Sequence, residues 1–224
     1  MQLEKLTKEP RRGYDDACGT AHGLELIGER WALLVLRELM LGPRRFSQLR
    51  ADLPGISANV LTQRLTELED RGLVRRTRLP PPASVQVYEA TEWGLEAEPI
   101  VQTLGRWAAR SPRHDPTLPI SGVSILLSMR TMIDAERARD MDAQLNFRFG
   151  DDLYTGHLHG GAIAISRGEH PAPDLVIAGE PQAWAGVLYG KAPPDLIQWS
   201  GDKDLLDRVI DLYHLPAKAP LPGH

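Results

Sequence analysis

Asn59, Gln63 and Thr66 alternate with leucines at 61, 65 and 68, and Thr62 sits beside them. At about 100° per residue, a helix that turns Leu61, Leu65 and Leu68 inward presents Asn59, Gln63 and Thr66 outward, with Thr62 flanking. Asparagine and glutamine amides suit bidentate hydrogen bonding to an adenine edge in the major groove of DNA. Threonine meets a hydrogen-bonding base edge or a thymine methyl. Arg64 lies at the margin of this face, within reach of phosphate or guanine. Arg44, Arg45, Arg75, Arg76 and Arg78 flank it and suit phosphate contacts, which set register rather than read sequence. Ser47 adds a hydroxyl beside Arg44 and Arg45, and Ser57 another where the helix begins. The competing reading is an ordinary polar helix face and a solvated charge run paired with Glu67, Glu69 and Asp70.

These side chains need a particular set of elements to position them. Phe46, Leu49 and Leu53 recur at helical spacing and predict one helix. Leu53-Pro54-Gly55-Ile56 predicts a tight turn, because proline and glycine punctuate strongly. Ser57 can cap the next helix, and Gly72 stops it. A short second helix entered through a tight turn is the helix-turn-helix arrangement that presents side chains to the major groove. Residues 73–78 and 85–90 predict a hairpin whose tip, Pro80-Pro81-Pro82-Ala83-Ser84, is a stiff projecting wing. Upstream, 15–27 and 31–41 predict helices, and 1–13 a loose arm. Thr91 caps a long helix predicted to run to about residue 110.

Composition bounds the reading. The 224 residues suffice for one large domain or two small ones. Net charge is −4, but it is unevenly spread. Residues 1–115 hold 17 basic and 16 acidic side chains, while 116–224 hold 9 and 14. Within 43–78 there are eight arginines and four acids, so the local surface is basic where phosphate binding needs it. A single cysteine excludes an intramolecular disulfide framework and fits a reducing compartment. With no visible signal peptide and no apolar run long enough to span a bilayer, a cytoplasmic location is expected, with no membrane partner.

The texture changes after a proline-rich stretch at 111–119. Helices are predicted at 121–133, 181–190 and 202–213. Strands are predicted at 143–150, 153–160, 162–168 and 175–178, the first three forming a meander, with a fifth at 198–200. Residues 216–224 read as a frayed tail. The predicted layout is a DNA-binding and dimerisation domain at 1–112, a linker at 113–119, a second domain at 120–215 and the tail.

The first half resembles the HxlR family of winged-helix regulators, relatives of the MarR group. The matching residues are Cys18, the run 28–34 (GERWALL), 45–49 (RFSQL), 54–57 (PGIS), 61–62 (LT), 65–69 (LTELE), 72–74 (GLV) and 88–94 (YEATEWG). The resemblance implies a homodimer in which the first and last helices of the domain pack across a two-fold axis. It departs from the family pattern at the wing tip. The second half is similar to the sterol-carrier-protein fold, through the meander, Pro173-Asp174-Leu175, the run 179–184 (GEPQAW), Leu188-Tyr189-Gly190 and the Ser200-Gly201-Asp202 turn. That resemblance implies an antiparallel five-stranded sheet with helices around a lipid tunnel. The expected fold class is therefore α+β, a winged helix followed by a sterol-carrier-like domain.

Other residues carry weaker signals. Cys18 sits where redox-responsive relatives keep a sensing thiol; a small buried residue is the competing reading. Trp184, Tyr189 and Trp199 would line the cavity that the second resemblance implies, or simply build the core. His157 and His159 share one face of a strand, but two ligands are too few for a zinc site, and a polar strand face is expected. No catalytic arrangement, phosphate loop or cofactor motif is present, and neither enzyme activity nor a cofactor is expected. The expected function is an operator-binding regulator tuned by a small apolar or lipid-like ligand. The alternatives are a ligand carrier that uses the winged helix only to dimerise, and a redox regulator acting through Cys18.

Overall fold

The computed structural model describes residues 13–220, so most of the expected N-terminal arm, 1–13, lies outside the described residues, as do the last four of the tail. The first half comprises α1 (Gly19–Ile27), α2 (Ala32–Glu38), α3 (Phe46–Asp52), α4 (Ala58–Asp70), the hairpin of β1 (Val74–Arg78) and β2 (Gln86–Ala90), α5 (Glu92–Leu95) and α6 (Glu98–Ala109). The second half comprises α7 (Gly122–Met132), β3 (Asp142–Phe149), β4 (Asp152–His159), β5 (Ala162–Arg167), β6 (Leu175–Ala178), α8 (Pro181–Gly190), β7 (Gln198–Gly201) and α9 (Lys203–Asp211).

The helix-turn-helix forms for the local reasons its sequence contains. Leu53 and Ile56 are buried on either side of the turn, and Gly55 takes the positive φ of 90° that a side chain would resist. The Ser57 hydroxyl accepts from the Val60 amide at 3.3 Å and caps α4. Leu61, Leu65 and Leu68 are buried, each contributing roughly 1.5–3 kcal/mol relative to exposure. Thr91 ties the hairpin to α5: its hydroxyl donates to the Gly72 carbonyl at 2.8 Å and accepts from the Gly94 amide at 3.0 Å.

The structure differs from expectation at several points. The long helix expected from 91 to 110 is two helices. Pro99 lacks an amide hydrogen, so a helix can hold it only in its first turn, and α6 restarts at Glu98. The five-stranded sheet is mixed, not antiparallel. Its order is β5-β4-β3-β6-β7, with β6 parallel to β3 and every other pair antiparallel. The chain leaving β5 crosses back through 168–174, where Asn146 donates to the His170 carbonyl and accepts its amide, each at 2.9 Å, and so delivers β6 beside β3 in the same direction. The tail is not frayed as far as 219. Lys218 donates to the carbonyls of Ala109, Ser111 and His114, and the Ala219 amide donates to the Arg110 carbonyl at 2.7 Å.

One core runs through both halves. Its centre is α7, buried nearly all round, which packs on α2 and α6 from one side and on β5 and α8 from the other. Polar pairs cross the same boundary. The Ser121 hydroxyl donates to buried Glu38 at 2.8 Å, and Arg130 forks onto Glu98 at 2.6 and 2.8 Å. The opposite face of the sheet is solvated and carries Asp142, Arg148, His159, Ala162, Ala164 and Ser166.

Candidate nucleic-acid interface

Helix α4 segregates its side chains cleanly. Asn59, Thr62, Gln63 and Thr66 are exposed, opposite the buried leucines. Gln63 holds an intrahelical partner, its amide donating to Glu67 at 3.0 Å, which orients it along the helix surface. Ser57, Arg45 and Ser47 are also exposed, at the entrances to α4 and α3. On the wing, Arg76 donates to Glu69 at 2.9 Å and lies 5.5 Å over the Tyr88 ring, and Arg78 donates to the Ser84 carbonyl at 3.1 Å. Arg76, Thr77, Arg78, Ser84 and Gln86 line an open polar concavity of about 410 Å³. Thr77, Ser84 and Gln86 did not figure among the sequence candidates. Hairpin pairing sets Gln86 opposite Arg78, and that pairing was the available signal.

Two arginines expected at this surface are elsewhere. Arg44 is buried, 2% exposed, and cannot meet a phosphate. Its backbone bridges Tyr88 of β2 in both directions, at 2.9 and 2.8 Å, leaving its side chain in the interior. There it donates to both oxygens of Asp152, at 2.6 Å each, and to Asp52. Arg167 donates to the same Asp152 at 2.9 Å. Burial pushes the Asp152 carboxyl up, but the hydrogen bonds from Arg44 and Arg167 outweigh it and hold the group below its ordinary value. For Asp52 burial prevails, and its carboxyl is raised. Arg64 is largely covered too. It pairs with Glu67 at 2.6 Å and Glu29 at 3.3 Å, so it ties α4 to the connection between α1 and α2 rather than reaching outward.

The remaining candidates fall away from this surface. Trp184 is fully buried against Phe147, with its indole nitrogen 3.4 Å from the Met129 sulfur, and the Tyr189 and Ser128 hydroxyls bond at 2.7 Å. Trp199 is partly buried beside the same core. Cys18 is exposed, not buried, at the N-terminus of α1. Hydrogen bonds from the Thr20 and Ala21 amides lower its thiol pKa.

A second surface accompanies the first. Ile100, Leu104 and Trp107 form an exposed apolar stripe on α6, with Trp107 70% exposed, and together with Pro99 and Thr103 they line a shallow groove. Leu24 on α1 and Trp93 and Leu95 on α5 are exposed as well.

Comparison with known proteins places this architecture. Residues 26–115 match the model of the HxlR-like helix-turn-helix family. Among similar chains from Bacillus subtilis (strain 168), the uncharacterised HTH-type transcriptional regulator YvaP is 35% identical over 85 residues, spanning 38% of this chain and 79% of that one. The uncharacterised HTH-type transcriptional regulator YkvN is 42% identical over 94 residues, covering 41% and 77%. The HTH-type transcriptional regulator YodB is 37% identical over 83 residues, covering 37% and 74%. With its helix-turn-helix and wing built from the residues that carry these matches, the chain belongs to the HxlR-like helix-turn-helix family.

Proposed function

We propose that the chain is a homodimeric, sequence-specific DNA-binding transcriptional regulator that inserts α4 into the major groove. The observation that carries this reading is the exposed row Asn59, Thr62, Gln63 and Thr66 on a helix whose other face is locked into the core. Arg45, Ser47 and Ser57 beside that row, and Arg76 and Arg78 on the wing, serve as backbone contacts. Arg44 and Arg64 are not part of this set, since both are engaged internally. A second copy covers the α6 stripe with Leu24 of α1, because a contiguous apolar patch of this kind marks an interaction surface. Activity of this type belongs in the cytoplasm and needs no catalytic group. The divisions at 1–112, 113–119 and 120–215 mark functional modules, and one core runs through the described residues of the first and the last. The test is selection from a random DNA pool, followed by anisotropy across a salt series. An enriched half-site repeat whose affinity falls steeply with salt is expected. Failure to enrich any sequence sinks the reading and leaves a carrier whose winged helix only dimerises.

A sterol-carrier-like role for the second module, with a small apolar ligand modulating DNA affinity, is the second reading. The hydroxyls of Tyr154 and Tyr213 favour a lipid-like ligand with a polar head: both are buried without a hydrogen-bond partner, and an unpaired buried polar group costs roughly 1–3 kcal/mol. Fatty acids and planar aromatics titrated into the full chain would raise stability by about 2.7 kcal/mol at about 100 Kd; the absence of any thermal shift removes the reading. A thiol switch at Cys18 rests on its exposure and lowered pKa. Mild oxidation that leaves operator affinity unchanged would discard it.

A further inference from the structure

Two histidines of the second module acquire a partner that their own strand does not supply. His157 and His159 lie on the solvated face of β4, rings stacked with centroids 5.4 Å apart. Antiparallel pairing sets Asp142, the first residue of β3, directly across from His159. The Asp142 carboxylate then meets both imidazoles, Oδ1 at 2.8 Å from His157 Nε2 and Oδ2 at 3.3 Å from His159 Nδ1. All three side chains are open to solvent.

We infer that Asp142, His157 and His159 form a binding site for a divalent transition cation of the zinc, cobalt or nickel type on the outer face of the sheet. Two imidazoles and one carboxylate are a ligand set for such ions, which prefer nitrogen donors more than magnesium or calcium do. One ligand atom from each residue lies within 4.8 Å of the others. Around a tetrahedral ion with bonds of about 2.1 Å, ligand atoms stand roughly 3.4 Å apart, so adjustments of χ angles alone bring the three into place. The approach is clear on the β5 side, where the residues paired with His159 and His157 are Ala162 and Ala164, both exposed and too short to fill the space. Water completes the coordination. The site lies on the second module and stands independently of DNA recognition by α4.

The test uses the untagged full-length chain stripped of metal by a chelator. Co²⁺ titration is followed by visible absorption and Zn²⁺ titration by calorimetry. One ion per chain is expected. Loss of even a supporting group around a metal ligand costs on the order of 10–100-fold in affinity, so His157→Ala and His159→Ala should each weaken binding at least tenfold. His170→Ala, which alters a histidine held by Ala172 instead, should leave binding unchanged. A readout that needs no variant accompanies it: Zn²⁺ should shift the imidazole resonances of two of the seven histidines. Absence of saturable binding, shifts at other histidines, or an affinity that the His157 and His159 variants lower by less than tenfold overturns the site.

Discussion

Arg44 and Arg45 are adjacent, share a charge, and should fail in opposite ways when replaced by alanine. Arg44 is buried between two carboxylates, each with 21% of its side chain exposed. Removing one partner of a fully buried ion pair costs about 3–5 kcal/mol, because the remaining charge is left uncompensated. Arg167 still holds Asp152 after the change, and partial exposure screens what is left, so Asp52 is the main casualty. A loss of about 2–3 kcal/mol is expected, at or just below the lower end of that range. For a chain of this size each kcal/mol is roughly 2–4 °C in melting temperature, so Arg44→Ala should melt about 4–12 °C below the parent chain. Arg45 is exposed, and its replacement should change stability by no more than about 0.5 kcal/mol. It should weaken binding to every DNA sequence alike and lower the salt slope by about one. Calorimetric melting and salt-dependent anisotropy on both variants separate the two effects. If Arg44→Ala melts with the parent, or if it loses DNA affinity while keeping full stability, the assignment of Arg44 to the interior is wrong.

Gln63→Ala should cost about 1–3 kcal/mol on the selected operator and relax base preference at one position, read by competition anisotropy; equal affinity for all variants of that base before and after would remove Gln63 from the readout. Leu104→Glu combined with Trp107→Glu places charge in the α6 stripe, and sedimentation should show monomers at micromolar concentration with native secondary structure retained by circular dichroism; a persistent dimer moves the interface elsewhere. Asp152 has a depressed pKa in the folded chain, so its contribution to stability is present above the unfolded value of 3.8 and is lost as pH falls through the folded value. Asp152→Asn should therefore flatten the acid limb of the stability–pH curve; Asp52, raised by burial, works against it with the opposite sign. An unchanged acid limb in Asp152→Asn would show that the carboxylate is not held as described.

Much of the winged helix was legible from the chain alone, because the forces that shape it act over a few residues. Leucines at 61, 65 and 68 chose the inner face of α4, and by exclusion Asn59, Thr62, Gln63 and Thr66 became its outer face. Pro54 and Gly55 made the turn, Ser57 and Thr91 capped the helices that begin after them, and the proline tip at 80–84 marked a hairpin of 73–78 and 85–90. Pro99 was equally visible, yet a single long helix expected from the Thr91 cap passes over the break it imposes between α5 and α6.

Tertiary structure decided what local pattern cannot encode, namely which distant group a side chain meets. Nothing near Arg44 distinguishes it from Arg45. The difference comes from Asp152, 108 residues away, which docks against it only once the second half has packed on the first. The return of the chain through 168–174, pinned by Asn146, made the sheet mixed instead of antiparallel. The meander alone marked His157 and His159 as a pair; strand register brought Asp142 to them. Periodicity states whether a residue faces inward or outward. Register and docking state against what, and for buried charges and for clustered imidazoles and carboxylates that second question determines the chemistry.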